Sequence, residues 1–445
     1  MGEPVTWCLR SSSVVLPGEL RPATLVITDG RIADVLGLHD GPGGVPVVDV
    51  GALTVSPGIV DSHVHVNEPG RTHWEGFATA TRAAAAGGVT TLVDMPLNSV
   101  PPTTTVEALE IKRSAAAGQV HVDVAFWGGV TSTDTSSVRS LIDEGVCGFK
   151  VFLVPSGVDE YGWVDAVGLH AALSAAGDLP VLVHAEAPGP LDDAPAPDGR
   201  SYPAYLASRP DEAEVVALEM VLAGLRETGG RAHVLHLSSA QGLGVLDRAR
   251  NEGLRISVET CPHYLSLAAE DIPDGATQTK CAPPVRGRAN RELLWEALGS
   301  GQIDFVASDH SPAPPSVKEL DTGDFGAAWG GIAGVQTALS VVWTEAWSRG
   351  YGLVDVARWQ SERPAAMAGL PGKGSIAVGS DADLVVWDPW ARHVVDAAAL
   401  AQRHPVSPWH GRTLRGVVHT TYLRGEAVDV SGPARGRLLR RGERV

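Results

Sequence analysis

An α/β architecture with all-β ends is what this sequence predicts, on three observations. Strand-like and helix-like stretches alternate through its centre, both ends are rich in short β patterns, and its 445 residues exceed one compact core. One large unit with a smaller satellite is the expected organisation, divided as 1–55, 56–370 and 371–445.

The elements follow in order. Residues 1–55 contain TLVITDGRIADVLG, an alternating pattern turning at Asp29-Gly30, a pair suited to a two-residue hairpin. From about Ser56 to Asp309 come eight β-rich runs: GIVDSHVHV, VTTLVDMPL, VHVDVAFWGG, CGFKVFLV, LPVLVHAE, RAHVLHLSS, LRISVETCP and IDFVASDHS. Between them lie stretches such as WEGFATATRAAAAGG and VEALEIKRSAAAG, whose Ala, Leu and Glu content favours helix. Parallel βα units repeated eight times are the number that closes a TIM-like (β/α)8 barrel. An open doubly wound sheet gives a similar alternation; the barrel is preferred because the candidate ligands below must converge on one axis. The Pro- and Asp-rich segment 191–210 reads as a loop over the barrel mouth. Residues 374–430 carry GSIAVGSDADLVVWDP and GVVHTTYLRGEAV, short alternating strands with Gly turns. These are expected to pair with the N-terminal strands in a small β-sandwich built from both termini.

Composition sets limits on function. Hydrophobic residues make up 44% and charged residues 20%, an ordinary globular balance. A formal net charge of −17 would repel a phosphate backbone or an anionic membrane surface, so neither is an expected partner. Cys8, Cys147, Cys261 and Cys281 are far apart, which excludes a disulfide framework or a cysteine-based zinc site and points to reduced thiols. The first residues lack the basic start and apolar run of a secretory signal, and no window approaches the roughly 18 apolar residues of a membrane span. A cytoplasmic location is expected.

The chemistry begins at His63-Val64-His65, closing the first strand run. Residues at i and i+2 of a strand face one side, so both imidazoles should point into the barrel. Histidine is the commonest zinc ligand, although two close histidines can be incidental. His184 ends the fifth run, His236 the sixth and Asp309 the eighth. Carboxyl ends of barrel strands open on one face, and polar groups buried there need partners, for which a metal is the economical one. Lys150 stands inside the apolar run CGFKVFLV, where a free ammonium is costly. Burial and nearby cations favour its neutral amine, which can add carbon dioxide to give a carbamate that bridges two metals. The alternative is an ammonium that reaches solvent or pairs with Asp309.

This constellation, with DSHVHVNEPGRTHWEGF and TLVDMPLNSVPPTT, resembles the amidohydrolase superfamily and, within it, the allantoinase branch. GFKVFL, VLVHAE, HVLHLSS, VETCPHYL, KCAPPVR, VASDHSP, GGIAGVQ and DADLVVWDP extend the likeness along nearly the whole chain. The resemblance implies that His63 and His65 hold one divalent ion and His184 and His236 a second. It further implies that carboxylated Lys150 (N6-carboxylysine) bridges them, that Asp309 completes the first site, that the metal is zinc, and that the protein is a homotetramer. Imidazole and carboxylate donors alone do not select zinc over other divalent ions. The implied reaction is hydrolytic opening of a small cyclic ureide, with Asp309 taking a proton from metal-activated water and passing it to the leaving nitrogen.

Single positions separate the near relatives. Dihydroorotases carry an arginine for a substrate carboxylate where this chain has Asn67, which favours a neutral ring. Hydantoinases and dihydropyrimidinases place a carbonyl-polarising tyrosine where this chain has Pro155; Ser156 is a candidate replacement. Their serine that contacts substrate through its main chain is here Ala282, and Gly331, with Gly330, is the other substrate-contact candidate, the alternative being a turn. His263 is open between a structural and a catalytic hydrogen bond, His310 should point away from Asp309, and Cys281 has no base placed beside it. Two rivals remain: a hydantoinase or dihydropyrimidinase acting on another ring, and a non-catalytic scaffold of the same fold.

Overall fold

The computed structural model describes residues 5–197 and 199–444. Its first strands are β1 (Thr6–Leu16), β2 (Glu19–Thr28), β3 (Arg31–Leu36), β4 (Val47–Asp49) and β5 (Thr54–Pro57). The Asp29-Gly30 hairpin forms as expected: Thr28 pairs Arg31, and both turn residues take positive φ, 49° and 79°.

The eight central runs all become parallel strands: β6 (Ile59–Val64), β7 (Val89–Asp94), β8 (Asp123–Phe126) continued by β9 (Gly128–Gly129), β10 (Phe149–Phe152), β11 (Pro180–His184), β12 (Arg231–Val234), β13 (Arg255–Thr260) and β14 (Phe305–Val306). They form two arcs, β6-β7-β8 and β9-β10-β11-β12-β13-β14. The arcs abut at two seams without a continuous ladder. At one, β8 and β9 are a single run interrupted at Trp127, and Cys147 N–H donates to Phe126 O. At the other, Val64 bridges His310 in parallel, and Asp61 accepts from Ser308 N–H at 3.1 Å.

Period-2 alternation sorts the arc residues into two cores. Leu92, Phe149, Val151, Val181 and Val183 pack outward, in one cluster with helices that include Phe77–Ala86, Ala166–Ala176 and Asp211–Thr228. Val60, Val93, Ala125, Phe152, Leu182, Leu235 and Phe305 share an inner core that Leu439 of the C-terminal segment joins. Lys150 has the parity of Phe152 and His184 the parity of Leu182, so the alternation that fills the inner core also turns both polar side chains inward.

The C-terminal strands β15 (Leu384–Val394), β16 (Thr413–Leu423) and β17 (Glu426–Ala427) join the N-terminal ones in one eight-stranded mixed sheet. Both ends of the chain combine as expected, through β5 antiparallel to β15, within one continuous sheet. The physical reason is that β5 lies between β1 and β15 and makes one ladder continuous. The segment 191–210 is less irregular than expected, since Ser201 caps a short helix, Tyr202–Ala207. All four cysteines are buried free thiols, and no helix among the described residues is long and apolar enough to cross a membrane.

One buried ion cluster joins the terminal sheet to the arcs. The Lys373 ammonium contacts Asp123 of β8, Asp381 and Asp383 at 2.7, 2.9 and 2.7 Å. Lys373→Met leaves three buried carboxylates without their shared cation, at a cost of about 3–5 kcal/mol. Calorimetry is expected to show a clearly lowered melting temperature; an unchanged one would show the cluster to be dispensable.

Candidate active site

Five of the six candidate ligands stand at or just beyond the carboxyl end of an arc strand, and Lys150 stands within one. His63 lies in β6, His65 follows it, Lys150 lies in β10, and His184 ends β11. His236 and Asp309 lie just past β12 and β14, and both take left-handed backbone conformations, φ 37° and 45°. For non-glycine residues such conformations cost about 1–3 kcal/mol each and persist where the surroundings over-determine them.

These six side chains do come together. His63 Nε2 is 3.2 Å and His65 Nε2 is 3.6 Å from the same oxygen, Oδ1, of Asp309. His184 Nδ1 and His236 Nε2 face one another at 3.0 Å. The rings of His63 and His236 are 5.4 Å apart, which links the two groups into one cluster. Lys150 Nζ lies 4.7 Å from the Phe152 ring, and Phe152 stacks on His184 at 4.6 Å. Among the described residues, Lys150 makes no salt bridge, which disposes of the Asp309 ion-pair alternative as a direct contact.

Burial sets the charge states. It lowers the basicity of Lys150, against the opposing pull of Asp309 and Glu259. It raises the Asp309 carboxyl above the usual carboxylate range, against Lys150 and the Ser311 hydroxyl, which donates at 2.8 Å. His63, His65 and His236 fall well below the ordinary imidazole range, chiefly by burial and next by a neighbouring cation or imidazole. Neutral imidazoles keep a lone pair for a cation.

The sequence reading missed what lies behind these groups. His63 Nδ1 makes a very short contact with Glu259 of β13, which leaves Nε2 facing Asp309. His184 Nε2 lies 2.8 Å from Glu186, which leaves Nδ1 facing His236. Arg209 grips Glu186 in a two-pronged ion pair. A carboxylate behind an imidazole fixes its tautomer and orientation, as is general for metal-binding histidines. Glu186, two residues beyond His184, could have been found by that rule. Glu259 is brought in only by the fold.

The buried His63 Nε2 has no hydrogen-bond partner, and imidazole nitrogens and a carboxylate oxygen converge in front of it. This donor set fits a divalent cation of the zinc type.

A cleft of about 610 Å³ opens onto His184, with Phe152, Pro155, Arg209, Ala282, Trp329 and Gly330 in its wall. Pro195–Pro197 of the segment 191–210 line it too, as expected of a loop at the mouth. A larger cleft of about 850 Å³ lies beside β17 and His121 and contains none of the candidate site residues. Ser156 is a correction: its hydroxyl contacts the Tyr161 and Val158 carbonyls, so its proton is spent within its own loop rather than offered to a substrate. His310 turns away from the cluster, its Nδ1 accepting from Gly334 N–H at 3.1 Å. Gly331, at φ 147°, has no room for a Cβ, which would stand 2.4 Å from Ser311 O; Gly330 faces the Ala282 amide in the cleft.

The chain is similar to known proteins over nearly its whole length. The Amidohydrolase family model matches residues 54–428. An allantoinase of Streptomyces avermitilis is 51% identical over 97% of this chain and 98% of its own length. The allantoinase of Saccharomyces cerevisiae is 42% identical, over 94% of each chain. Among solved structures, the L-hydantoinase (dihydropyrimidinase) of Arthrobacter aurescens superposes with a TM-score of 0.90 at 30% identity, over 98% of this chain and 99% of that one.

Glu259→Gln replaces the carboxyl group that holds the His63 tautomer. It is expected to weaken zinc binding about 10–100-fold in a chelator competition titration, with the fold intact. Unchanged affinity would separate Glu259 from the cation site.

Proposed function

Because this chain belongs to the amidohydrolase family, we propose that it is a metal-dependent hydrolase that opens the hydantoin ring of allantoin to give allantoate. The observation that carries the reading is the gathering of His63, His65, Lys150, His184, His236 and Asp309 at one end of the two strand arcs. Near-full-length identity to named allantoinases of a bacterium and a yeast supports the choice of ring. We read the arcs as one (β/α)8 barrel spanning 56–370, with 1–55 and 371–445 forming a satellite sandwich, and the assembly as a cytoplasmic homotetramer. Four free buried thiols suit a reducing compartment.

His63, His65 and Asp309 would hold one divalent ion, zinc in this reading, and His184 and His236 the other. Lys150 would bridge them as a carbamate, its lowered basicity supplying the neutral amine that carbon dioxide requires. When bound, such ions bring a water close to ionisation at neutral pH and polarise a carbonyl. Asp309 accepts the proton of the attacking water as the new carbon–oxygen bond forms. It returns that proton to the ring nitrogen as the carbon–nitrogen bond breaks. Its raised affinity for a proton suits both halves of that task. Glu259 and Glu186 hold His63 and His184 in the tautomers that present the required nitrogens. Ala282 and Gly330 line the cleft where the ring would lie, with Gly331 next in the chain. Pro155 offers no phenol, so a substrate that relies on a tyrosine there is disfavoured.

A hydantoinase or dihydropyrimidinase reading is favoured by the solved structures and is the alternative to test. Purified enzyme should hydrolyse allantoin with a kcat/KM well above that for hydantoin, dihydrouracil or dihydroorotate. A preference for dihydrouracil would overturn the assignment. Asp309→Asn should keep its bound metal, measured by elemental analysis, and lose about 10²–10⁴ in kcat. Full turnover in that variant would remove Asp309 from the proton transfers.

A further inference from the structure

His263 follows β13 at the same end of the arcs as the six site residues, in the short helix Pro262–Ser266. Its side chain is fully buried, yet neither ring nitrogen has a hydrogen-bond partner. The structural hydrogen bond that the sequence left open is therefore not made. Its ring packs edge-on against Tyr264, with centroids 4.2 Å apart, and Tyr264 is itself anchored to Pro283 O at 2.6 Å. The imidazole is thus held in place by a contact that leaves both nitrogens unspent.

Leaving buried polar atoms unpaired is destabilising, and native proteins rarely do so without a partner from outside the chain. One ring nitrogen of His263, the Cys261 sulfur and an Asp309 carboxylate oxygen all lie within 4.8 Å of one another. No hydrogen bond joins the His263 ring to Cys261 or Asp309 directly, and that span accommodates one bridging water. The site is polar and offers the two or more partners that an ordered water needs.

We propose that His263 holds a water against the Asp309 carboxylate, with the Cys261 thiol as the third wall of the water's pocket. His263 is then a positioning residue: it fixes the carboxylate oxygen that exchanges a proton with the reacting water, acting through its own bound water. The proposal rests on Asp309 as the proton carrier, and is independent of which ring is opened. Burial keeps His263 neutral, its basicity pushed down to about 3, so one nitrogen donates to the water and the other can accept.

Two measurements test it. A high-resolution crystal structure of the metal-loaded enzyme should contain an ordered water within hydrogen-bond distance of both His263 and Asp309. Protein partners on both His263 nitrogens, or an empty space between the two side chains, would overturn the assignment. In kinetics, His263→Leu should lower kcat about tenfold, the scale of one lost hydrogen bond, with KM and metal content unchanged. His263→Gln, which keeps a donor and an acceptor, should recover most of that loss. A raised KM at constant kcat in either variant would mean that His263 touches substrate and would defeat the proposal. Equal loss in both variants would defeat it too. Failure of the wild-type enzyme to open allantoin would refute the substrate reading while the crystallographic water still decides this one.

Discussion

Burial of Lys150 among four imidazoles and two carboxylates is the constraint around which the rest of the structure is organised. A lysine taken out of water is expensive to keep charged, and so are carboxylates beside it. Here that expense is incurred at the ends of six strands at once, with His236 and Asp309 also held in strained backbone. Such an arrangement persists only when the fold over-determines it. The surrounding carboxylates, Glu259 and Glu186 with its Arg209, are the means: they fix ring orientation so that the remaining nitrogens converge.

The same physics explains why the site lies where it does. Alternation along β10 and β11 sends Phe152 and Leu182 into the inner core, and Lys150 and His184 with them. The end of the arcs away from the site is filled by apolar side chains, Leu439 among them. The polar groups gather toward the strand termini, where loops can supply main-chain contacts. Stability and chemistry are therefore segregated along the strands, the usual division in such folds.

Much of this was legible in the sequence, and the reasons are specific. All eight central runs become strands because β-branched residues between Ala-rich helical stretches leave little choice of period. His63 and His65 could be paired from their spacing, and His184, His236 and Asp309 from their positions after apolar runs. The all-β ends and their pairing were visible, but not that β5 would carry the junction, since a register across more than 300 residues leaves no local signal. Ser156 was misjudged because its hydroxyl is consumed by carbonyls of its own loop, a geometry that composition cannot convey. Glu259 was passed over because its role depends on β13 meeting β6 across the interior, whereas Glu186 lay within two residues of His184.

The central claim is that six side chains gather around two adjacent cations, bridged by a modified lysine. Anomalous diffraction from crystals of the zinc-loaded enzyme, collected at the zinc edge, tests it most directly. The account predicts two peaks, one beside His63, His65 and Asp309 and one beside His184 and His236, with density for a carboxylated Lys150 between them. A single peak, or an unmodified Lys150 turned away from both sites, would contradict it.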